Sequence, residues 1–189
     1  MNGLSQDGPP AGYPAELDRV WRSADGTPAR LRALRPDDLD RELAFVAGLS
    51  EETLHLRVQY AAKGLSRDDA ARLLRLDYVD NMAIGAFVDV PGGERMVGVS
   101  RYARVDDTDR AECAIVVADD WQGRGLGTEL MRSLGLAAKA RGIHAFEGSV
   151  LGENQRIQEW ARRFGFDVRT EPNSGGLVNV ALDLSSFPS

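Results

Sequence analysis

The 189-residue sequence contains one cysteine and two histidines. A single cysteine, Cys113, cannot form an internal disulfide or a cysteine-based metal centre, and its scarcity is typical of a reducing compartment. His55 and His144 are too few for the usual set of ligands in a catalytic zinc site. We therefore expect no metal cofactor, and we interpret Cys113 as a small buried residue in a strand.

Long apolar runs and an excess of positive charge are also missing. No stretch of 18 apolar residues predicts a membrane span, and the beginning of the chain, "MNGLSQDGPPAGYP", has neither the basic nor the apolar part of a signal peptide. We expect a cytoplasmic protein. Its net charge of −6, from 29 acidic and 23 basic residues, argues against non-specific binding to nucleic acid and is compatible with a cationic partner.

The remaining pattern predicts one domain over residues 15–189, preceded by a disordered arm over residues 1–14 that has almost nothing to bury. A hairpin turning at Asp25-Gly26 leads to two or three helices, with Ser50 and Ser66 as caps. Three strand-like segments follow, and then a helix, a strand, a helix and a final hairpin. This order predicts an α/β fold of the α+β type, with a mixed, mostly antiparallel sheet of about seven strands flanked by helices.

The segment "VVADDWQGRGLGTELMRSL" runs from β-branched residues through three glycines into a helical pattern. One glycine would suffice for a turn, but Gly123, Gly125 and Gly127 alternate where the helix begins. Bare backbone at a helix N-terminus directs several N–H groups at one spot, which favours an anion, and the guanidinium of Arg124 could also pair with phosphate. We predict a phosphate-binding loop.

Two common phosphate-binding motifs do not fit this loop. A P-loop requires Gly-Lys-Ser/Thr after its spacer, and the third glycine of G-x-G-x-x-G falls on Thr128 or Leu130. The pattern Q-x-x-G-x-G from Gln122 to Gly127 does fit, and with it the chain resembles the GNAT superfamily of acyl-CoA-dependent N-acetyltransferases. "LRALRPDD", "DYVDNMAI", "AECAIVVADDWQGRGLG" and "GSVLGENQRIQEWARRFGFDV" are similar to the bacterial Pat-like protein-lysine acetyltransferases.

The resemblance implies the GNAT fold over about residues 29–184 and acetyl-CoA as co-substrate. It implies that the strand before the loop separates from its neighbour and binds the pantetheine arm, with the N–H of Val117 facing the thioester carbonyl. It also implies that Asn154 contacts the coenzyme, although asparagine is equally suited to cap a helix there. The implied coenzyme-binding residues are Ile115, Val116, Val117, Gln122, Gly123, Arg124, Gly125, Leu126, Gly127, Thr128 and Asn154.

The catalytic candidate is Glu112, which the resemblance implies to be the general base. A lysine amine is protonated at pH 7, and its deprotonation costs roughly 4.6 kcal/mol. Glu112 could take the proton directly or through water; the alternative is an exposed acid at the start of a strand. Many members of the superfamily carry a tyrosine that protonates the departing thiolate, and Ala161 occupies that position here. Neither Tyr78 nor Tyr102 is favoured as a substitute.

We therefore predict an acetyl-CoA-dependent N-acetyltransferase acting by direct transfer in a ternary complex, with a protein lysine as acceptor. One alternative acceptor is a small amine such as a polyamine, an antibiotic or an amino acid. Another possibility is a non-catalytic acyl-CoA sensor, which would have no need for Glu112. In the region of the acceptor site, His55, Arg57 and Tyr60 could select the substrate. We expect no nucleic-acid or membrane partner, and the sequence leaves the oligomeric state open.

Overall fold

The computed structural model describes residues 9–56, 65–170 and 175–187. Its strands are β1 (Arg19–Arg22), β2 (Pro28–Ala33), β3 (Asn81–Val90), β4 (Gly93–Arg104), β5 (Arg110–Val117), β6 (Ala145–Leu151), β7 (Asp167–Thr170) and β8 (Leu177–Asp183). Its α-helices are α1 (Leu39–Ala47), α2 (Glu51–His55), α3 (Arg67–Leu73), α4 (Leu126–Lys139) and α5 (Gln155–Phe164). Short 3₁₀ turns lie at Ala15–Leu17, Pro36–Asp38 and Asp119–Trp121.

The strands form one sheet of eight in the order β1-β2-β3-β4-β5-β6-β8-β7. All neighbouring strands are antiparallel except β5 and β6, which run parallel. The predicted mixed, mostly antiparallel sheet is confirmed. The eighth strand is β1, the first arm of the hairpin predicted at Asp25-Gly26.

The predicted helix starts are confirmed where the chain is described. The Ser50 hydroxyl accepts the backbone N–H of Thr53, and the Ser66 hydroxyl accepts that of Asp69, so each begins a helix. Pro36 opens a 3₁₀ turn that continues into α1. Helix α2 ends at His55, with Leu56 as its C-cap. Residues 171–174, in the turn of the last hairpin, lie outside the described residues.

Helix α4 covers the middle of the sheet with the apolar face that its spacing predicts. Leu126, Leu130 and Leu134 are at most 1% exposed. They approach β4 closely because Gly98 has no side chain: a Cβ there would lie 2.9 Å from Leu130 Cδ1. This contact sets the N-terminus of α4 beside the end of β5, where the candidate site lies.

The last two residues of the predicted disordered arm, Tyr13 and Pro14, pack on the domain. Residues 1–8 lie outside the described residues, but Tyr13 packs edge-on against Tyr78 with ring centroids 5.6 Å apart, and Pro14 is buried. An aromatic ring next to a proline has enough apolar surface to pack on the domain, which composition alone did not reveal. None of the helices in the described ranges is long and apolar enough to cross a membrane.

Candidate active site

Strands β5 and β6 pair only at their beginnings. Register partners are Arg110 with Ala145, Ala111 with Phe146 and Glu112 with Glu147, and beyond Glu112 no further pair forms. From there β5 continues along β4, while β6 continues along β8. A wedge-shaped gap therefore opens inside the sheet, with Glu112 at its apex and Val117 at its wide end.

The backbone of β5 alternates between β4 and this gap. The N–H of Ala118 donates to the Val97 carbonyl at 2.9 Å, so the register assigns Val116 to β4 and turns the main-chain groups of Ile115 and Val117 toward the gap. In this register the main-chain groups of Val116 face β4 rather than the gap. Its side chain is buried at 6% exposure, and its N–H serves the sheet.

The glycine loop joins the wide end of the gap to α4. Gly123 and Gly125 adopt left-handed backbone with φ of +75° and +87°, which residues with a side chain rarely adopt. In the described part of the chain, none of the N–H groups from Gly123 to Thr128 has an acceptor, and Glu129 makes the first helical bond, to Gly125. Six donors at a positive helix end form a site suited to phosphate.

Two side chains of this loop are engaged within the protein. The Gln122 amide donates from Nε2 to the Val117 carbonyl at 3.1 Å and accepts at Oε1 from Arg156 at 2.7 Å. The guanidinium of Arg124 pairs with Asp25 at 3.0 Å and lies 5.2 Å from the centre of the Trp121 ring. Gln122 thus braces the end of β5, while the loop's backbone donors remain turned outward.

A cleft of about 1110 Å³ runs from the gap past the loop to α5. Most of the predicted site residues line it, although they come from separate parts of the sequence. Arg124 does not line the cleft, and the Leu126 side chain belongs to the core at 1% exposure. The predicted residues along the cleft are Glu112, Ile115, Val116, Val117, Gln122, Gly123, Gly125, Gly127, Thr128 and Asn154.

Glu112 is exposed at the apex, where it faces both this cleft and a smaller cavity of about 360 Å³. Glu147, Ser149 and Asn179 line the smaller cavity with it. Cys113 is only partly buried, because it lies at the point where the two strands begin to separate. The apex therefore places a solvent-accessible carboxylate between two cavities that meet.

Asn154 caps α5, since its side-chain oxygen accepts the N–H of Ile157 at 3.1 Å, and it also lines the cleft. The tyrosines have roles in the core. Tyr102 donates to the Val79 carbonyl at 2.8 Å, and burial raises the pKa of Tyr102 to about 12. Tyr78 donates to the Leu34 carbonyl at 3.0 Å, and burial raises the pKa of Tyr78 as well. Neither hydroxyl lines the cleft.

Asp119 ties α2 to the glycine loop through contacts that no sequence pattern indicates. Its carboxylate accepts the Ser50 N–H at 2.9 Å and both the Ser50 and Thr53 hydroxyls at 2.7 Å; we call these contacts the Asp119 clasp. Nearby, His55 Nε2 and Glu153 Oε1 lie 2.7 Å apart across the cleft. Arg57 and Tyr60, the other predicted acceptor residues, lie outside the described ranges.

Replacing Asp119 with alanine is expected to lower the free energy of unfolding by about 1–2 kcal/mol at pH 7, the usual cost of a lost cap. Partial burial, the largest single influence, raises the pKa of Asp119, but the bonds from Thr53 and Ser50 outweigh it and lower the pKa below its usual value. The stabilisation is therefore present above the ordinary carboxyl pKa and is lost as the pH falls through the lowered one.

Urea unfolding at several pH values measures this effect. The difference between wild type and Asp119→Ala should shrink below about pH 4. Asp120→Ala is the matched control, because Asp120 pairs only at the surface, with Arg95, and should cost less than about 1 kcal/mol. Equal losses in both variants would contradict the clasp.

Comparison with known proteins identifies this arrangement. The model of the acetyltransferase (GNAT) family matches residues 51–166, which span the gap, the loop and α5. The chain belongs to the GNAT acetyltransferase family. It is therefore an acyltransferase, and the resemblance noted in its sequence is confirmed.

Curated relatives include GNAT enzymes of different length. An acetyltransferase of Pseudomonas aeruginosa is 34% identical over 160 residues, which are 85% of this chain and 86% of that protein. Acetyltransferase Pat of Mycolicibacterium smegmatis is 34% identical over 139 residues, which are 71% of this chain and 40% of that protein. This chain thus spans less than half the length of Pat.

Solved structures share the acetyltransferase fold. The GNAT domain of S. lividans PAT superposes with a TM-score of 0.82 at 28% identity, over 90% of this chain and 99% of that chain. The RimL ribosomal L7/L12 alpha-N-protein acetyltransferase in complex with coenzyme A has a TM-score of 0.66 at 16% identity, over 87% and 98% of the two chains. Within the described residues, no three His, Cys, Asp or Glu side chains group as metal ligands.

Proposed function

We propose that this acetyltransferase moves the acetyl group of acetyl-CoA to the side-chain amine of a protein lysine. The observation that carries the proposal is the gap between β5 and β6, which leads directly to the six unpaired N–H groups of the glycine loop. A linear ligand with a diphosphate in its middle and a narrow amide-containing arm matches this combination. Acetyl-CoA has that shape, and GNAT acetyltransferases use it.

In this proposal the diphosphate binds the N–H groups from Gly123 to Thr128, and the pantetheine arm enters the gap as an extra strand would. The main-chain groups of Ile115 and Val117 that turn toward the gap lie along its path. Asn154, on the opposite side of the cleft, is within the same cavity. The loop thus holds the anionic diphosphate, and the main-chain groups along the gap hold the pantetheine arm. Together they orient the thioester toward the apex.

The length of β5 places the thioester nearer to Glu112 than the sequence comparison implies. Five residues separate Glu112 from Val117, and at roughly 3.3 Å per residue they lie about 16 Å apart along β5. A glutamate side chain is much shorter than this, so it cannot reach an amine that attacks a carbonyl held at Val117. We therefore place the pantetheine arm against the Val117 N–H, and the thioester closer to the apex.

At the apex Glu112 acts as general base. It removes a proton from the lysine ammonium, directly or through water, and so supplies the free amine whose formation costs roughly 4.6 kcal/mol at pH 7. The amine nitrogen then bonds to the carbonyl carbon and the carbon–sulfur bond breaks. The nitrogen loses its second proton to water, the departing thiolate takes a proton from water, and the products are an amide and the coenzyme thiol. Ala161 offers no proton, so the thiolate leaves without a side-chain acid.

The smaller cavity favours a cationic acceptor. Glu112 and Glu147 line it together with two neutral polar side chains, Ser149 and Asn179. Glu147 is paired with Arg110, which leaves Glu112 as the carboxylate that faces an incoming ammonium. Similarity to Pat supports a protein lysine as the source of that ammonium. A small amine offers the same chemistry, and the acceptor assay distinguishes the two.

The decisive experiment incubates the purified chain and labelled acetyl-CoA with a mixture of bacterial proteins and, separately, with polyamines and free amino acids. Label on lysine side chains, located by mass spectrometry, would support the proposal. Label found only on small amines would show that the acceptor is a small amine and not a protein lysine. Binding of acetyl-CoA without turnover on any acceptor would favour a sensor and overturn the proposed catalysis.

Replacing Gly123 with alanine is expected to weaken coenzyme A binding about tenfold. Alanine at φ of +75° costs roughly 1–2 kcal/mol, and a loop that relaxes from this strain must be returned to it when the diphosphate binds. Gly142→Ala is the matched control, since Gly142 has φ of +76° and lies beyond the C-terminus of α4. Calorimetric titration should show a weaker Kd for Gly123→Ala alone; equal affinities would refute the loop assignment.

A further inference from the structure

The two walls of the cleft are joined by a pair of ionisable side chains. Because the gap opens between β5 and β6, one wall continues from β5 through Asp119 to α2, and the other continues from β6 into the turn before α5. His55 ends α2 and Glu153 lies in that turn, so they come from opposite walls, and both line the cleft. Their Nε2 and Oε1 atoms lie 2.7 Å apart; we call this contact the His55–Glu153 bridge.

The backbone on each side of the bridge is held in place by other contacts. Helix α2 is fixed by the Asp119 clasp and by Leu54, which packs against the core. On the other wall, the Gly152 N–H donates to the Gly176 carbonyl at 2.7 Å, and the Gln158 amide donates to the Gly152 carbonyl at 2.9 Å. The fold, and not the bridge, therefore holds the two walls at their distance.

The bridge itself is the part of this arrangement that opens easily. The side chains of His55 and Glu153 are 69% and 61% exposed, and one contact joins them. An exposed ion pair adds little stability, and exposed side chains change rotamer on a timescale of about nanoseconds. The bridge therefore contributes little to the fold, but while it is closed it spans the cleft from one wall to the other.

We propose that the His55–Glu153 bridge is a latch that controls the exchange of the coenzyme. The inference rests on the proposed function, because it assumes that the coenzyme fills this cleft from the glycine loop to the apex. A closed latch keeps the walls joined around the coenzyme while the acceptor lysine arrives, and an open latch lets the coenzyme enter or leave. The latch closes over an empty and an occupied cleft alike, so it sets the rates of exchange and not the affinity.

Stopped-flow measurement of coenzyme A binding tests the latch, since Trp121 and Trp160 line the cleft and their fluorescence reports its occupancy. His55→Ala should raise the association rate and the dissociation rate by the same factor, up to about fivefold for an exposed pair, with an unchanged Kd. Glu153→Ala should do the same. The double variant should add nothing further, because all three variants lack the same contact.

A second histidine–carboxylate pair provides the matched control. His144 and Asp109 lie 3.1 Å apart, their side chains are 63% and 57% exposed, and neither residue lines the cleft. His144→Ala therefore removes a similar exposed pair at another place on the surface. This variant should change neither rate.

The outcomes separate this inference from the proposed function. Unchanged rates in His55→Ala or Glu153→Ala, additive effects in the double variant, or the same rate changes in His144→Ala would each overturn the latch. Faster dissociation with unchanged association would also overturn it, because the side chains would then contact the coenzyme directly. In all these cases coenzyme A still binds and the acetyltransferase proposal stands. If wild type binds no coenzyme A, the proposed function fails together with the inference.

Discussion

Replacing Glu112 with glutamine is expected to lower kcat for acetyl transfer about 100- to 10,000-fold, the usual contribution of a positioned general base. Glutamine keeps the size of the side chain but cannot accept a proton at pH 7. Glu112 is exposed at the apex of the gap, so the substitution should leave the fold intact. Coenzyme affinity should change little, since Glu112 lies far from the loop where we propose that the diphosphate binds.

Two comparisons make this result specific. The defect should become smaller as the pH approaches 10, where a growing fraction of lysine is already deprotonated and needs no base. Glu147→Gln removes the carboxylate that stands opposite Glu112 in the register and should retain most of the activity. An equal loss of activity in the two variants would indicate that their negative charge attracts the acceptor. An unchanged kcat in Glu112→Gln would show that Glu112 is not the general base.

Replacing Asp38 with asparagine is expected to lower the free energy of unfolding by about 3–5 kcal/mol, the usual cost of leaving one charge of a buried ion pair uncompensated. Asp38 is fully buried and Arg32 is 4% exposed. Two parallel hydrogen bonds of 2.7 Å join their side chains, and Asp38 also accepts the Arg35 N–H at 2.9 Å. In the variant the buried Arg32 guanidinium loses both short hydrogen bonds to the Asp38 carboxylate and keeps only a longer ion pair, with Glu94 at 3.7 Å.

Thermal unfolding should show the loss as a decrease in Tm of roughly 6 to 20 °C for a chain of this size. Asp40→Asn is the control, because Asp40, in the first turn of α1 beside Asp38, pairs with Arg67 at 2.8 Å on the protein surface. Exposed pairs contribute less than about 1 kcal/mol. Similar Tm values for the two variants would show that water reaches the Arg32–Asp38 pair and that its burial carries little energy.

Local patterns predicted most of the fold because their causes are local. A cap such as Ser50, Ser66 or Asn154 acts within three residues of itself, and the spacing of Leu126, Leu130 and Leu134 identifies the buried face of one helix. Glycines that must adopt a left-handed backbone can likewise be recognised individually in the sequence. These features sufficed to indicate the order of elements and to predict an anion-binding loop. The family was recognised from the resemblance of the segment Gln122 to Gly127 to GNAT proteins.

Side-chain partners were harder to predict from the sequence, because contacts between segments distant along the chain produce no periodic pattern. Asp119 meets Thr53 across 66 positions of sequence, and Gln122 bonds the Val117 carbonyl and the Arg156 guanidinium within the cleft. Arg124 was expected to meet phosphate and instead pairs with Asp25 on the first hairpin. Each of these choices depends on which surfaces the sheet brings together.

The amino-acid order by itself determined where backbone donors are bare and where a carboxylate interrupts a strand, since both follow from residue type and neighbouring residues. Only the tertiary structure decided that β5 and β6 part after Glu112, because each strand has a second partner, β4 or β8, that carries it away. That separation joins the apex, the glycine loop and α5 into one cleft, and it assigns Val116 to the sheet and Val117 to the gap.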